Sequence, residues 1–138
     1  MIKMTDRYFC PYCGSVDILQ KFLIKKKSGG YSKNLKCPSC NNVFRLKTLK
    51  ALDTFWKWGY YIYFGIRYYN NKSGYDDFHS KVNFASIIEN IRIEFGEWGV
   101  QDFWDGYMTA KQQYGKLSYW DMHQKIFKPP PKQLKLIT

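Results

Sequence analysis

Several stretches of the chain carry a readable pattern of apolar and polar positions. Residues 16–26, "VDILQKFLIKK", are rich in Val, Ile, Leu and Phe, Ser28-Gly29-Gly30 is a turn signal, and residues 31–36 return. That pattern predicts a β-hairpin. "NVFRLKT" then places Val43, Phe44, Leu46 and, just beyond it, Leu49 in imperfect alternation with polar residues, which predicts a third strand. From Leu49 the period changes. Leu49, Leu52, Trp56, Gly59, Tyr63, Ile66 and Tyr69 recur at steps of three and four, so residues 49–69 predict a helix with a broad apolar face. Gly59 and Gly65 weaken it, and a strand pair around Gly59 is the alternative.

"NNKSGYDD", residues 70–77, reads as a loop. Phe78, Val82, Ala85, Ile88, Ile91 and Phe95 predict a second helix, begun by Asp76 or Asp77 and ended by Gly96. A third is expected over about residues 99–114, with Val100, Phe103, Trp104, Tyr107, Met108, Lys111 and Tyr114 on one side. A fourth would start at Ser118, with Asp121 three residues on and Leu117 and Met122 as a hydrophobic staple. It must stop before Pro129-Pro130-Pro131. The fold class expected is α+β: an N-terminal three-stranded sheet followed by a small aromatic-rich helical bundle.

Charge divides the chain in the same place. Residues 1–50 hold eleven Lys/Arg and two acids, +9; residues 51–127 hold eight and nine, −1; residues 128–138 hold three lysines, +3. The expected division is therefore 1–50, 51–127 and a basic proline-rich tail, 128–138. The longest apolar run, residues 55–69, is interrupted by Lys57 and Arg67 and falls short of the roughly 20 residues a membrane span needs. With no secretory signal in "MIKMTDRYFC", an intracellular protein without a membrane role is expected, cytoplasmic or on the nucleoid or in the nucleus.

The four cysteines form two matched hooks, "CPYCGS" and "CPSCNN". Two Cys-x-x-Cys pairs a few tens of residues apart have the spacing of a tetrahedral zinc site. Cys10, Cys13, Cys37 and Cys40 are the expected ligands of one structural zinc ion. Iron in the same four positions competes, and a disulfide framework is the remaining reading. Pro11 and Pro38 follow the first ligand of each hook. Gly14 and Asn41 follow the second, where a tight knuckle needs a residue that tolerates positive φ. Backbone amides of such a knuckle can point at the sulfurs.

Residues 8–48 resemble the zinc ribbons of transcription and transposition proteins, on the pattern Cys-Pro-x-Cys-Gly/Asn repeated. The resemblance implies a knuckle–strand–turn–strand–knuckle–strand order. In the elongation factor S family the ribbon tip carries an Asp-Glu pair that works in the polymerase active site. Here the tip reads "KKKSGGYSK" and holds no acid, so transcript cleavage is rejected. A ribbon of the transcription factor B type, docking on polymerase, remains open.

Lys25, Lys26, Lys27, Tyr31, Lys33, Lys36, Arg45 and Lys47 are the expected nucleic-acid contacts, lysines through counterion release and Tyr31 by stacking. A solvated, merely solubilising loop is the bland alternative. The helical bundle would meet a protein partner, since Glu89, Glu94, Glu97, Asp102 and Asp105 argue against a DNA-reading helix there. His79 and His123 lack metal-ligand spacing, and a triad of Asp53, Asp76 and Glu89 is one of many that eleven acids allow. No enzyme is expected. The function expected is a zinc-ribbon nucleic-acid-binding protein related to transcription or regulation. The alternatives are an adaptor or inhibitor docking on a large machine such as RNA polymerase, a ribosome or a defence complex, and an accessory protein of transposition.

Overall fold

A computed structural model describes residues 7–68 and 78–117. Its elements run β1 (Arg7–Phe9), β2 (Val16–Ile18), α1 (Leu19–Phe22), β3 (Leu23–Lys25), β4 (Tyr31–Lys36), β5 (Val43–Arg45), α2 (Leu46–Ala51), α3 (Phe55–Tyr68), α4 (Phe78–Lys81), α5 (Phe84–Phe95) and α6 (Glu97–Tyr114). The fold class is α+β. β3, β4 and β5 form a three-stranded antiparallel sheet with β4 in the middle, and β1 pairs with β2 in a separate two-stranded sheet.

Four expected elements change. Residues 16–26 are not one strand, because α1 turns the chain between β2 and β3 and buries Leu19 and Phe22. The third strand ends at Arg45, and Leu46 and Leu49 belong to the helix α2. The helix expected over 49–69 is two: α2, and α3 after a break at residues 52–54. Thr54 makes the break. Its Oγ1 accepts from Lys57 N at 3.0 Å and its carbonyl from Trp58 N at 3.1 Å, an N-cap in the preferred residue type. The helix expected from Phe78 to Phe95 is likewise split into α4 and α5, and the cap of α5 is Asn83, whose side chain accepts from Ser86 N at 3.0 Å. Asp76 and Asp77, the loop 70–77, the helix expected from Ser118, His123 and the tail lie outside the described residues. Gly96 ends α5 as expected, and α6 starts at once with Glu97.

α3 is buried on most of its circumference rather than on one stripe: Trp56, Trp58, Tyr60, Tyr61, Ile62 and Phe64 are all covered. It packs chiefly on α6, and the two helices cross with almost no space between them. A methyl group on Gly59 would strike the backbone carbonyl of Phe103, and one on Gly106 that of Trp56. Gly59, which weakens the helix in sequence, is there to admit a neighbouring backbone. The crossing carries a second link: Asp102 of α6 accepts from Trp56 N at 3.2 Å, setting a carboxylate at the positive end of α3. On α6, Val100, Phe103 and Tyr114 are buried as expected. Met108 and Lys111 are exposed, and Gly106 and Ala110 face inward instead.

One hydrophobic cluster crosses the charge boundary near residue 50. It joins Cys10, Cys13 and Cys37 with Leu19 and Phe22 of α1, Leu35 and Phe44 of the three-stranded sheet, and Trp58, Ile62, Ile87, Ile91 and Phe103 of the larger helices. A smaller one, centred on Trp56, Tyr60, Phe64 and Tyr114, fills the far end of the α3–α6 pair.

Candidate metal centre and basic face

The hook loops bring the four cysteines together. Their sulfurs all lie within 4.8 Å of one another. Cys10 Sγ is 3.6 Å from Cys40 Sγ, and Cys13 Sγ is 3.7 Å from Cys37 Sγ. Four sulfurs held about 2.3 Å from one tetrahedral ion stand about 3.8 Å apart. The geometry fits four-sulfur coordination of a metal ion, and the disulfide reading loses its pairing: all four thiols are free.

The two hooks are built alike. Cys10 O accepts from Gly14 N and Cys37 O from Asn41 N, each at 2.9 Å; Cys10 N donates to Ser15 O at 2.9 Å and Cys37 N to Asn42 O at 3.0 Å. Gly14 has φ 78° and Asn41 φ 64°, the left-handed conformation expected from these residue types. The expected amide-to-sulfur bonds are also matched. Tyr12 N donates to Cys10 Sγ and Ser39 N to Cys37 Sγ, each at 3.4 Å. Asn42 Nδ2 adds a bond to Cys40 Sγ at 3.3 Å, and Ser15 Oγ lies 3.2 Å from Cys13 Sγ. Donors at this distance stabilise thiolate over thiol, as metal ligation requires. The four thiols hold their protons unequally. The hydrogen bond from Cys10, then that of Ser15, lowers Cys13 to about 5 against the opposing effect of burial, while the same Cys10–Cys13 bond and burial push Cys10 up.

The first hook is also gripped by the helices. Ser86 Oγ and Asn90 Nδ2 of α5 both donate to Cys13 O, at 2.5 and 3.3 Å. Trp58 Nε1 donates to Pro11 O at 2.9 Å, and Asn83 N to Tyr12 O at 2.8 Å. Three consecutive carbonyls of one knuckle are thus satisfied from α3 and the start of α5. The sequence offered a partial signal for this grip: Ser86 and Asn90, four apart, put two polar groups on one face of a helix that Ile87 and Ile91 bury.

The basic residues sit at the other end of the sheet and on its outer face. Lys26 and Lys27 lie in the turn, closed by Lys26 N to Gly30 O at 3.0 Å, and Lys25 ends β3. Lys25, Lys26, Lys27, Lys33, Lys36, Arg45 and Lys47 are all exposed, and Tyr31 is 47% exposed. Leu35 pairs with Phe44, and both point into the core. Asn34 therefore pairs with Arg45, and Lys36 with Val43, on the opposite face. Lys36 and Arg45 share that outer face, whereas Lys47 leaves it on α2.

Comparisons with protein families, with curated proteins and with solved structures give no match. No helix among the described residues is long and apolar enough to cross a membrane.

Proposed function

We propose that the metal is zinc, that its role is structural, and that the chain is a non-enzymatic nucleic-acid-binding protein of the zinc-ribbon kind, acting in transcription or its regulation. The observation that carries this reading is the pairing of a closed four-sulfur site with an exposed basic hairpin built on the same two hooks. A tetrahedral site filled by four cysteines leaves no position for water or substrate. Zinc suits it because thiolates are soft ligands and the ion is indifferent to redox state. Lys25, Lys26 and Lys27 at the tip, with Lys36 and Arg45 on the outer face, would neutralise phosphates, and Tyr31 would stack on an exposed base.

The test is binding of zinc-loaded protein to labelled DNA and RNA across a salt series. Each phosphate contact steepens the log–log salt slope by about 0.9 on duplex DNA. Replacing Lys25, Lys26 and Lys27 by Glu is expected to flatten the slope by about three such units and to abolish most binding at moderate salt. An unchanged slope sinks the reading.

A second reading, an adaptor docking on a protein machine, is favoured by the exposed Phe95, Trp98 and Ile93, the last 70% exposed. Partners that survive nuclease treatment in a pull-down and are lost with Trp98→Ala would support it.

A further inference from the structure

The hairpin leaves the core through an irregularity. Leu23 pairs with buried Leu35, but the next pair is Lys25 with Tyr31. Two steps along β3 are thus matched by four along β4. The surplus on β4 is held locally, with Ser32 Oγ accepting from Asn34 N at 3.1 Å. A bulge of this kind bends the strand, sharpens its twist and re-aims the side chains beyond it. What lies beyond this one is a single cross-strand pair, a lysine beside a tyrosine.

Tyr31 keeps 47% of its surface exposed, and among the described residues its side chain makes no ring contact and no hydrogen bond. Phe95 and Trp98, exposed to a similar degree, are braced by Phe55 at 5.0 and 5.4 Å. The cations of the sheet are equally unspent. Arg7 and Arg92 are held in ion pairs and Arg67 donates to Leu117 O, whereas Arg45 has no such partner among the described residues. Between Asp17 and Asp53 the chain holds nine Lys/Arg and no acid.

A duplex would use the cations and leave the ring idle. Its base faces are stacked on one another, and a surface tyrosine meets one only if the base is extruded at a cost. An unpaired strand offers phosphates and base faces together. Residues paired across two strands stand about 5 Å apart at Cβ, so a base can lie on Tyr31 while a phosphate of the same strand meets Lys25. Five steps along β4, about 17 Å away, a second cation stands beside an exposed apolar side chain: Lys36 pairs with Val43, 49% exposed. That distance matches about five nucleotides at stacked spacing.

Resting on the nucleic-acid reading, we propose that the hairpin takes unpaired strands in preference to duplex, with one base stacked on Tyr31, its phosphate on Lys25, and the strand continuing toward Lys36 and Arg45.

The experiment compares, by fluorescence anisotropy of the full-length, zinc-loaded protein at one salt concentration, a labelled mixed-sequence single strand of about ten nucleotides with the duplex made from it. The single strand is expected to bind about tenfold more tightly. Tyr31→Ala should remove most of that preference, weakening the single strand about tenfold and leaving the duplex unchanged, while Tyr31→Phe retains it. Lys25→Ala should lower the salt slope on the single strand by about 0.7, the value of one phosphate contact. Independently of affinity, the Tyr31 ring protons, assigned by their loss in Tyr31→Ala, should move upfield on adding the single strand and stay in place with the duplex. Equal affinity for both probes, or an equal loss on both in Tyr31→Ala, overturns the proposal while nucleic-acid binding stands. So do ring protons indifferent to a bound single strand. Binding of neither probe at low salt removes the nucleic-acid reading and the proposal with it.

Discussion

The two hooks are near copies in sequence and nearly superimpose in their hydrogen bonds, yet they live in different surroundings. In the first, Cys10, Pro11, Tyr12, Cys13 and Gly14 are all buried; in the second, Pro38, Ser39 and Asn41 are exposed. The first hook gives three carbonyls to the helices. The second gives them a hydrogen bond from a side chain, Asn42 Nδ2 to Lys81 O at 3.4 Å. Local chemistry fixes the knuckle, and tertiary context decides what the knuckle carries. One hook is a joint to the helices; the other closes the metal site and faces outward.

The largest expected effect comes from taking away what the hooks share. Structural zinc contributes on the order of 10 kcal/mol or more to small domains. Three of the ligands belong to the cluster that also buries Ile87, Ile91 and Phe103. Chelation, or Cys10→Ser, should therefore collapse helical circular dichroism as well as the sheet. If the helical signal survives intact, the joint is not one.

Next, glycine and asparagine at the matched positions should part company. Gly14→Ala puts a methyl 2.8 Å from Ile87 Cα at φ 78°. Strain of about 1–2 kcal/mol adds to overpacking of about 1–3 kcal/mol. Asn41→Ala meets the same backbone strain in an exposed turn and should cost about 1 kcal/mol. Urea denaturation giving equal losses would break the comparison.

A smaller asymmetry tests the carbonyls. Trp58→Phe keeps an aromatic ring in the core but removes the donor to buried Pro11 O, a loss of about 1–3 kcal/mol from that bond, to which the smaller side chain adds a packing loss. Asn42→Ala, at a half-buried site, should cost about 1 kcal/mol in the same titration. At the bottom of the scale, Lys36→Ala and Arg45→Ala should leave the melting midpoint nearly unmoved, within about 0.5 kcal/mol. Under the proposed function their effect would fall on nucleic-acid affinity instead.

What the sequence made legible follows the range of the interactions involved. The knuckles depend on six consecutive residues each, so Gly14, Asn41 and the amide–sulfur bonds could be anticipated one by one. The basic turn at Ser28-Gly29-Gly30 was readable for the same reason. The helix breaks were present but outvoted. Thr54 and Asn83 are good N-caps, yet apolar steps of three and four ran through both, and periodicity hid the joints. The buried girdle of α3 was not readable, because aromatic residues on every side look alike whether one face or all of them are covered. The grip of Ser86 and Asn90 on Cys13 O links residues more than 70 positions apart, and no local pattern names such a partner.

The crossing of α3 and α6 has a mechanical consequence. Each helix has a notch, Gly59 in one and Gly106 in the other, and each notch receives the other's main chain. Moved along by one turn, α3 would bring Trp56 or Tyr63 to the place that only a hydrogen atom fits. The pair is therefore keyed like a half-lap joint: it can pivot about the notch, but it cannot slide. Any displacement imposed at the knuckle end through Trp58 would have to reach the Tyr60–Tyr114 end as a rotation.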